Sequence, residues 1–323
     1  MTSPLPRLHF APGKAIAYSL SAVLCLAVLD AQVKWLAADY AITQIAFLRY
    51  VVGIVFAVAV AARHGGLGQL RTRRPFGHAL RSILNIVTML TFYAALKRLP
   101  LADVIAIAFA APLFMTVLSV PLLGERVGWR RWAALSIGFV GVMVTLQPFG
   151  DGFNPVGLLA IVSALTYALM LIASRQLSAT ESSVTILFYY SIGVIVTTGA
   201  AMPWQWITPG WADAGLFLAC GLVGSVGQLL LNQAFRYGEV SLLAPLEYTA
   251  LIWAILLGVV IWGEVPTWWV LVGALIVVAS SLYIAQREAR IGRGAARSAA
   301  GALQVPIEGG ATLAARPKDE GRG

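Results

Sequence analysis

The sequence predicts an all-α membrane protein of ten transmembrane helices, arranged as two inverted repeats of five. Three observations carry that expectation: the composition, ten apolar runs of bilayer length, and a set of matches at one fixed offset. Of 323 residues, 59% are hydrophobic and 11% are charged, and mean hydropathy is +0.81. Ordinary soluble domains carry about a quarter charged residues, because much of their surface faces water. A cytosolic enzyme, a disulfide scaffold, a disordered chain and a collagen-like fibre are excluded. The apolar stretches are continuous and do not alternate with a period of two. That pattern argues against a transmembrane barrel and for helices, which satisfy their own backbone inside lipid.

A hydrocarbon core of about 30 Å is crossed by about 20 apolar residues. The first run, 15–36, is not a cleavable signal: it carries Asp30 and Lys34 and lacks a small-residue cleavage site. Runs 41–62 and 77–97 are divided by the longest connection, Arg63–Phe76, with Gly65, Gly66, Arg71, Arg73, Arg74 and Pro75. Runs 101–123 and 129–147 follow, parted by Gly124-Glu125. The stretch Gln147-Pro148-Phe149-Gly150-Asp151-Gly152 is a turn, leading to runs 155–177 and 183–202. A second turn, Ile207-Thr208-Pro209-Gly210, precedes runs 211–235, 240–262 and 267–285.

With the N-terminus inside, nineteen of the 23 Lys and Arg residues fall on inner segments or in the tail, Arg81 among them. The outer half keeps Lys34, Arg49, Lys97 and Arg98. The positive-inside rule then places both termini in the cytoplasm. The expected organisation is a cytoplasmic N-terminus (1–14), a first five-span unit (15–147), a second (155–285) and a disordered, membrane-attracted cytoplasmic tail (286–323) rich in Gly, Ala and Arg. Tryptophans cluster near the expected interfaces, at 204, 206 and 211 and at 262, 268 and 269.

The formal charge of +9 is explained by this orientation rather than by nucleic acid, since aromatic and basic residues do not interleave as a stacking platform requires. Cys25 and Cys220 both sit in apolar runs and suggest neither a disulfide nor a metal site. His9, His64 and His78 lie outside spans or at their ends. No zinc-hydrolase, serine-hydrolase or P-loop signature occurs, so no enzyme activity, metal or cofactor is expected.

Ala95-Leu96-Lys97-Arg98 and Ala234-Phe235-Arg236-Tyr237 lie 139 residues apart, as do Gly124-Glu125 and Gly263-Glu264, and Trp129 and Trp268. Each half ends alike: a short basic turn, a span, Gly-Glu, a Trp and a last span. Five spans per half is an odd number, so the second half enters the membrane in the opposite direction. Two such bundles can rock against each other and open a central site to either side.

The stretch from Phe92 to Asp103, with Ala111-Pro112-Leu113-Phe114 and Gly124-Glu125, resembles the first half of the EamA family of the drug/metabolite transporter (DMT) superfamily. Ala244-Pro245-Leu246-Glu247-Tyr248-Thr249 with Gly263-Glu264 is similar to the second half. The resemblance covers nearly all of residues 15–288. Among family members it is nearest to ten-span carriers described for S-adenosylmethionine or riboflavin. It implies a basket of helices around a central cavity, with the fifth span of each half at the periphery.

Ionisable groups at membrane depth need a reason. Asp30 and Arg49 are expected about 9–12 Å below the outer surface. They are read either as an ion pair between spans 1 and 2, with Asp30–Lys34 as a local variant, or as cavity groups binding substrate charge or a proton. A second cluster, Gln228, Asn232 and Glu247, is expected to share a depth across a tight hairpin, with Asn85 on the inner side of span 3. It is read as a proton or cation site or as interhelical hydrogen bonding. Pro112 frees the carbonyl of Ala108 and Pro245 that of Ser241. Glu125 and Glu264 are read as structural caps of the helices that follow them. Gly221, Gly224 and Gly227 form a stripe for close helix packing. Tyr93, Phe109, Phe114, Tyr167, Tyr189, Tyr248 and Trp253 are candidates for an aromatic cavity wall.

The function these readings favour is a secondary transporter of a small metabolite, coupled to a proton or cation, in a bacterial inner membrane, as a monomer or homodimer. Uptake of a vitamin or nucleoside-like compound, such as riboflavin or S-adenosylmethionine, is the first expectation. Export of amino acids or related metabolites is the second. A membrane-integral lipid-modifying enzyme would need an acid/base cluster at one interface, whereas the acidic residues here are scattered.

Overall fold

The structure is a computed structural model and describes residues 11–63, 66, 72, 74–124, 128–148, 153–178, 183–237 and 240–302. The described residues form thirteen helices and no strand. The first half comprises α1 (Pro12–Leu36), α2 (Ile42–Arg63), α3 (Pro75–Arg98), α4 (Leu101–Ala108), α5 (Ala111–Leu123) and α6 (Trp129–Leu146). The second comprises α7 (Gly157–Ser178), α8 (Ser183–Gly199), the one-turn α9 (Met202–Gln205), α10 (Trp211–Tyr237), α11 (Val240–Glu247), α12 (Thr249–Trp262) and α13 (Trp268–Ala302).

Local chemistry explains the boundaries. Pro12 and Pro75 open α1 and α3, where the missing N–H has no helical partner to lose. Gly124 and Gly263 close α5 and α12 at φ 67° and 68°, a left-handed conformation that costs glycine little. These two caps are the repeat's Gly-Glu positions, 139 residues apart. The expected spans 101–123 and 240–262 are each interrupted, at Phe109-Ala110 and at Tyr248. Pro112 stands at the start of α5, so Ala108 loses its i+4 donor and the first interruption falls just before the proline. Pro245 stands inside α11, three residues before the second interruption.

Eight helical segments are long and apolar enough to cross a membrane, the interrupted 101–122 segment among them, and Thr185–Gly199 is a shorter apolar helix. The chain is therefore a multi-pass membrane protein. Packing follows the repeat. Helix α1 lies against α10 as α3 lies against α7; α2 touches α10 as α8 touches α3; α1 meets α11 and α12 as α7 meets α4 and α5. Helices α2 and α8 pack on each other, as do α4 and α12. The last helices of the two halves approach at glycines: a Cβ on Gly141 of α6 would lie 2.9 Å from the Gly273 carbonyl oxygen of α13.

Polar contacts tie the connections on one side. The Gln44 amide accepts from Ile207 N–H at 3.0 Å and donates to its carbonyl at 2.6 Å. The Tyr40 hydroxyl donates to Asp213 at 2.7 Å, which holds the phenol above its ordinary pKa. The chain divides into two units, Met1–Ala285 and Gln286–Gly323. In the second unit, expected to be disordered, the described residues 286–302 are helical. Alanine and arginine are strong helix formers, and a helix does not require the apolar periodicity that the tail lacks. Residues 303–323 lie outside the described residues.

Candidate functional site

Two guanidinium groups stand on either side of a pair of tyrosine rings. Arg49, seven residues into α2, lies over the ring of Tyr50 at 5.0 Å and hydrogen-bonds the Tyr93 hydroxyl. Arg81, six residues into α3, lies over the ring of Tyr190 at 4.5 Å. Its Nε donates to the Ser174 hydroxyl at 2.7 Å, and its Nη1 is buried without a partner. Tyr50 and Tyr190 meet edge to face, with centroids 5.8 Å apart and planes at 81°. The rings thus present π-faces to two cations, an arrangement that offsets part of the desolvation of each.

The two cations occupy related places. Tyr50 and Tyr190 come from the self-paired helices α2 and α8 and are within one residue of the repeat offset. Cys220 of α10 lies 139 residues after Arg81 and is within the electrostatic reach of Arg49. The second half has cysteine where the first has Arg81, and Arg49 reaches in from α2 to supply the charge on that side. Around this centre, the Asn85 amide donates to the Tyr50 hydroxyl at 3.4 Å, and Thr88 donates to Thr166 at 2.8 Å. Phe109 and Tyr248, again 139 apart and both at helix interruptions, pack edge to face at 5.0 Å. Arg81 and Glu247 both lie within electrostatic reach of Tyr167. The arrangement is a polar, tyrosine-walled site between the halves. No metal-binding group of His, Cys, Asp or Glu occurs among the described residues.

The sequence profile of the EamA-like transporter family matches twice, over residues 13–147 and 155–286. The chain belongs to the EamA-like transporter family. It is similar to the S-adenosylmethionine uptake transporter of Rickettsia bellii, at 30% identity over 259 residues, covering 80% of this chain and 89% of that protein. It is similar to the riboflavin transporter of Rhizobium johnstonii, at 29% identity over 285 residues, covering 86% and 94%. The pseudopaline exporter of Pseudomonas aeruginosa is 26% identical over 264 residues, covering 80% and 91%. A crystal structure at 19% identity superposes with a TM-score of 0.60 over 85% of this chain and 98% of its own, which shows the shared fold. This EamA-family chain is therefore a transporter of a small molecule, not an enzyme.

The expected site residues of this transporter divide into three groups. Arg49 and Asn85 are brought together through Tyr50, and Tyr248 meets Phe109 from the other half. Asp30 is half-buried and within electrostatic reach of Arg49, but no ion pair joins them, because Arg49 is turned onto Tyr50 and Tyr93. Nor does Asp30 pair with Lys34, whose amine is held by Glu264. Glu247, at the end of α11, and Gln228 of α10 share no hydrogen bond; Glu247 is exposed, and the Asn232 side chain lies outside the described residues.

Glu264 does cap a helix, but not the one that follows it. Its carboxylate accepts from Leu101 N–H at 3.0 Å, at the start of α4, and from Lys34 at 2.6 Å. The end of α12 is folded against the α3–α4 turn, which places α4's free N–H groups closer at hand than those of α13. Glu125 lies outside the described residues. Arg81, Tyr50 and Tyr190 were not singled out from the sequence. Charge counting alone places Arg81 at the inner surface; its position six residues inside a proline-started helix is the available signal.

Proposed function

We propose that this EamA-family chain is a secondary carrier that moves a small metabolite across a bacterial inner membrane. The observation that carries the reading is the arginine–tyrosine site at the contact between two halves whose packing exchanges. Rocking of the halves would present that site to one side and then the other. Ten crossings follow if Trp129–Leu146 and Ser183–Gly199 also span, giving an inverted second half and two cytoplasmic termini. The basic residues support this orientation. A reporter fused after Gly323 then reads cytoplasmic.

The pathway residues of this reading are Asp30, Arg49, Asn85, Gln228, Asn232, Glu247 and Tyr248, with Glu247 as the group that carries a coupled proton or cation. Uptake of a vitamin or nucleoside-like compound is supported by the relatives that carry S-adenosylmethionine and riboflavin. Export is the second reading, supported by the exporter relative. Flux in proteoliposomes, loaded in turn on the inside and the outside with labelled riboflavin and S-adenosylmethionine, tests both. Transport of neither, with no transport from a pooled metabolite extract, overturns the carrier reading.

A further inference from the structure

We infer that the transported molecule bears a carboxylate, and that Arg81 receives it, with Arg49 as the counterpart cation on the other side of the Tyr50–Tyr190 pair. This rests on the carrier reading above and names the substrate chemistry of the same site.

A guanidinium out of water requires a counter-charge or full hydrogen bonding. Burying a charge without a counter-ion costs several kcal/mol even after local relaxation. Arg81 sits about 9 Å along α3 from Pro75. Its contacts are a neutral hydroxyl, Ser174, and the face of Tyr190. One donor nitrogen of its fork, Nη1, is buried and makes no hydrogen bond. Arg49 differs: Tyr93 accepts from it and Asp30 lies within its electrostatic reach. The carboxylate groups that face this region are Asp30 from α1 and Glu247 from α11, and neither forms an ion pair with either arginine. The only ion pair found among the described residues, Lys34–Glu264, uses other charges.

The chemistry of this unsatisfied donor selects the ligand. A guanidinium fork matches a planar carboxylate with two parallel N–H···O bonds. Tyr167, within electrostatic reach of Arg81, adds an aromatic ring and a hydroxyl suited to a flat organic body attached to that carboxylate. The aromatic faces themselves are no cation cage, since the guanidiniums already occupy those of Tyr50 and Tyr190. The related placement of Arg49 gives a carboxylate a second cation as the halves exchange exposure, so the anion is never left in the low-dielectric interior without a partner.

The test uses the full chain in lipid nanodiscs and three probes: phenylacetate, its neutral near-isostere phenylacetamide, and phenyl phosphate as a tetrahedral anion. Binding is read by calorimetry. The expected result is phenylacetate binding about tenfold more tightly than phenylacetamide. That preference is lost in Arg81→Gln, partly kept in Arg81→Lys, and reduced less in Arg49→Gln. Because the wild-type comparison needs no variant, a misfolded substitution does not remove the test. Equal binding of acid and amide, no binding of phenylacetate, or a preference that survives Arg81→Gln overturns the assignment. Phenyl phosphate binding more tightly than phenylacetate overturns the carboxylate class. Riboflavin flux in proteoliposomes without an acid preference in nanodiscs leaves the carrier reading standing and removes this one.

Discussion

Lys34 and Glu264, 230 residues apart, form a doubly bonded ion pair at 2.6 and 2.8 Å that joins the two halves at one end of the bundle. The Lys34 amine also donates to the Leu99 carbonyl at 2.7 Å, and the carboxylate accepts from Leu101 N–H at 3.0 Å. One charge pair therefore holds the end of α1, the α3–α4 turn and the segment after α12. The side chains are 8% and 24% exposed, so water screens the pair only partly.

Removing one member leaves the other charge uncompensated, at a cost of about 3 kcal/mol, the lower end of the range for buried pairs because Glu264 keeps some solvent. Lys34→Met and Glu264→Gln are each expected to lower thermal stability in detergent by that order. The double substitution Lys34→Met/Glu264→Gln is expected to be less destabilised than the sum of the singles. Strict additivity in the double-mutant cycle would mean that the pair contributes nothing as a pair.

The glycine stripe of α10 leads to a graded expectation. A Cβ on Gly221 would lie 2.5 Å from the Val52 Cβ and 3.1 Å from the Arg49 carbonyl, atoms close to a backbone that cannot give way cheaply. A Cβ on Gly224 would lie 3.2 Å from the Arg49 Nε and from a Leu29 methyl, both side-chain ends that can shift by tenths of an ångström. Gly221→Ala is therefore expected to destabilise by about 1–3 kcal/mol. Gly224→Ala is expected to spare the melting temperature and lower transport by displacing the guanidinium. Equal loss of stability in both variants would show that Arg49 is as rigid as the backbone.

How far this was visible in the sequence depends on the range of each interaction. Span positions, the Gly124 and Gly263 caps and the stripe from Gly221 are set by local chemistry and by period, and the spans begin within a few residues of expectation. The 139-residue offset even brings Phe109 opposite Tyr248. What the sequence concealed is side-chain direction at long range. Glu264 sits next to the helix it was expected to cap, yet its partners are Lys34 and Leu101. Arg81 reads as one more inner-surface cation until α8 brings Tyr190 beneath it. Asp30 and Arg49 are expected at one depth, but depth says nothing of rotation about each helix axis.

Glu247 is expected to set the pH response of transport. It ends α11 at an interruption, is exposed, and is held by no hydrogen bond among the described residues. Its charge is felt by Tyr167 and Tyr248. Glu247→Gln keeps shape and hydrogen-bonding capacity and removes only the proton exchange. Membrane insertion should be unchanged, while flux falls and becomes flat from about pH 5 to about pH 8. A Glu247→Gln variant with wild-type flux and wild-type pH profile would make this carboxylate a bystander.

The relation between Asp30 and Arg49 is tested by exchanging them. If the two formed an ion pair, Asp30→Arg/Arg49→Asp would restore it in reverse and recover part of what each single reversal loses. The structure argues otherwise. Arg49 is held by the Tyr93 hydroxyl and by the face of Tyr50. A carboxylate at position 49 is repelled by that face, whose quadrupole is negative. Its side chain is also too short to reach where the guanidinium lies. An arginine at position 30 would start from α1, where Leu29 and Ala31 on either side are buried, and would have to displace packed side chains to find those rings. The exchange is therefore expected to be no more active than Arg49→Asp alone. Arg49→Lys, which keeps the charge but loses the planar stacking on Tyr50, is expected to fall between that variant and wild type. Recovery of flux in the exchange to about the level of Arg49→Lys would indicate that a direct pair forms in a state of the transport cycle other than this one.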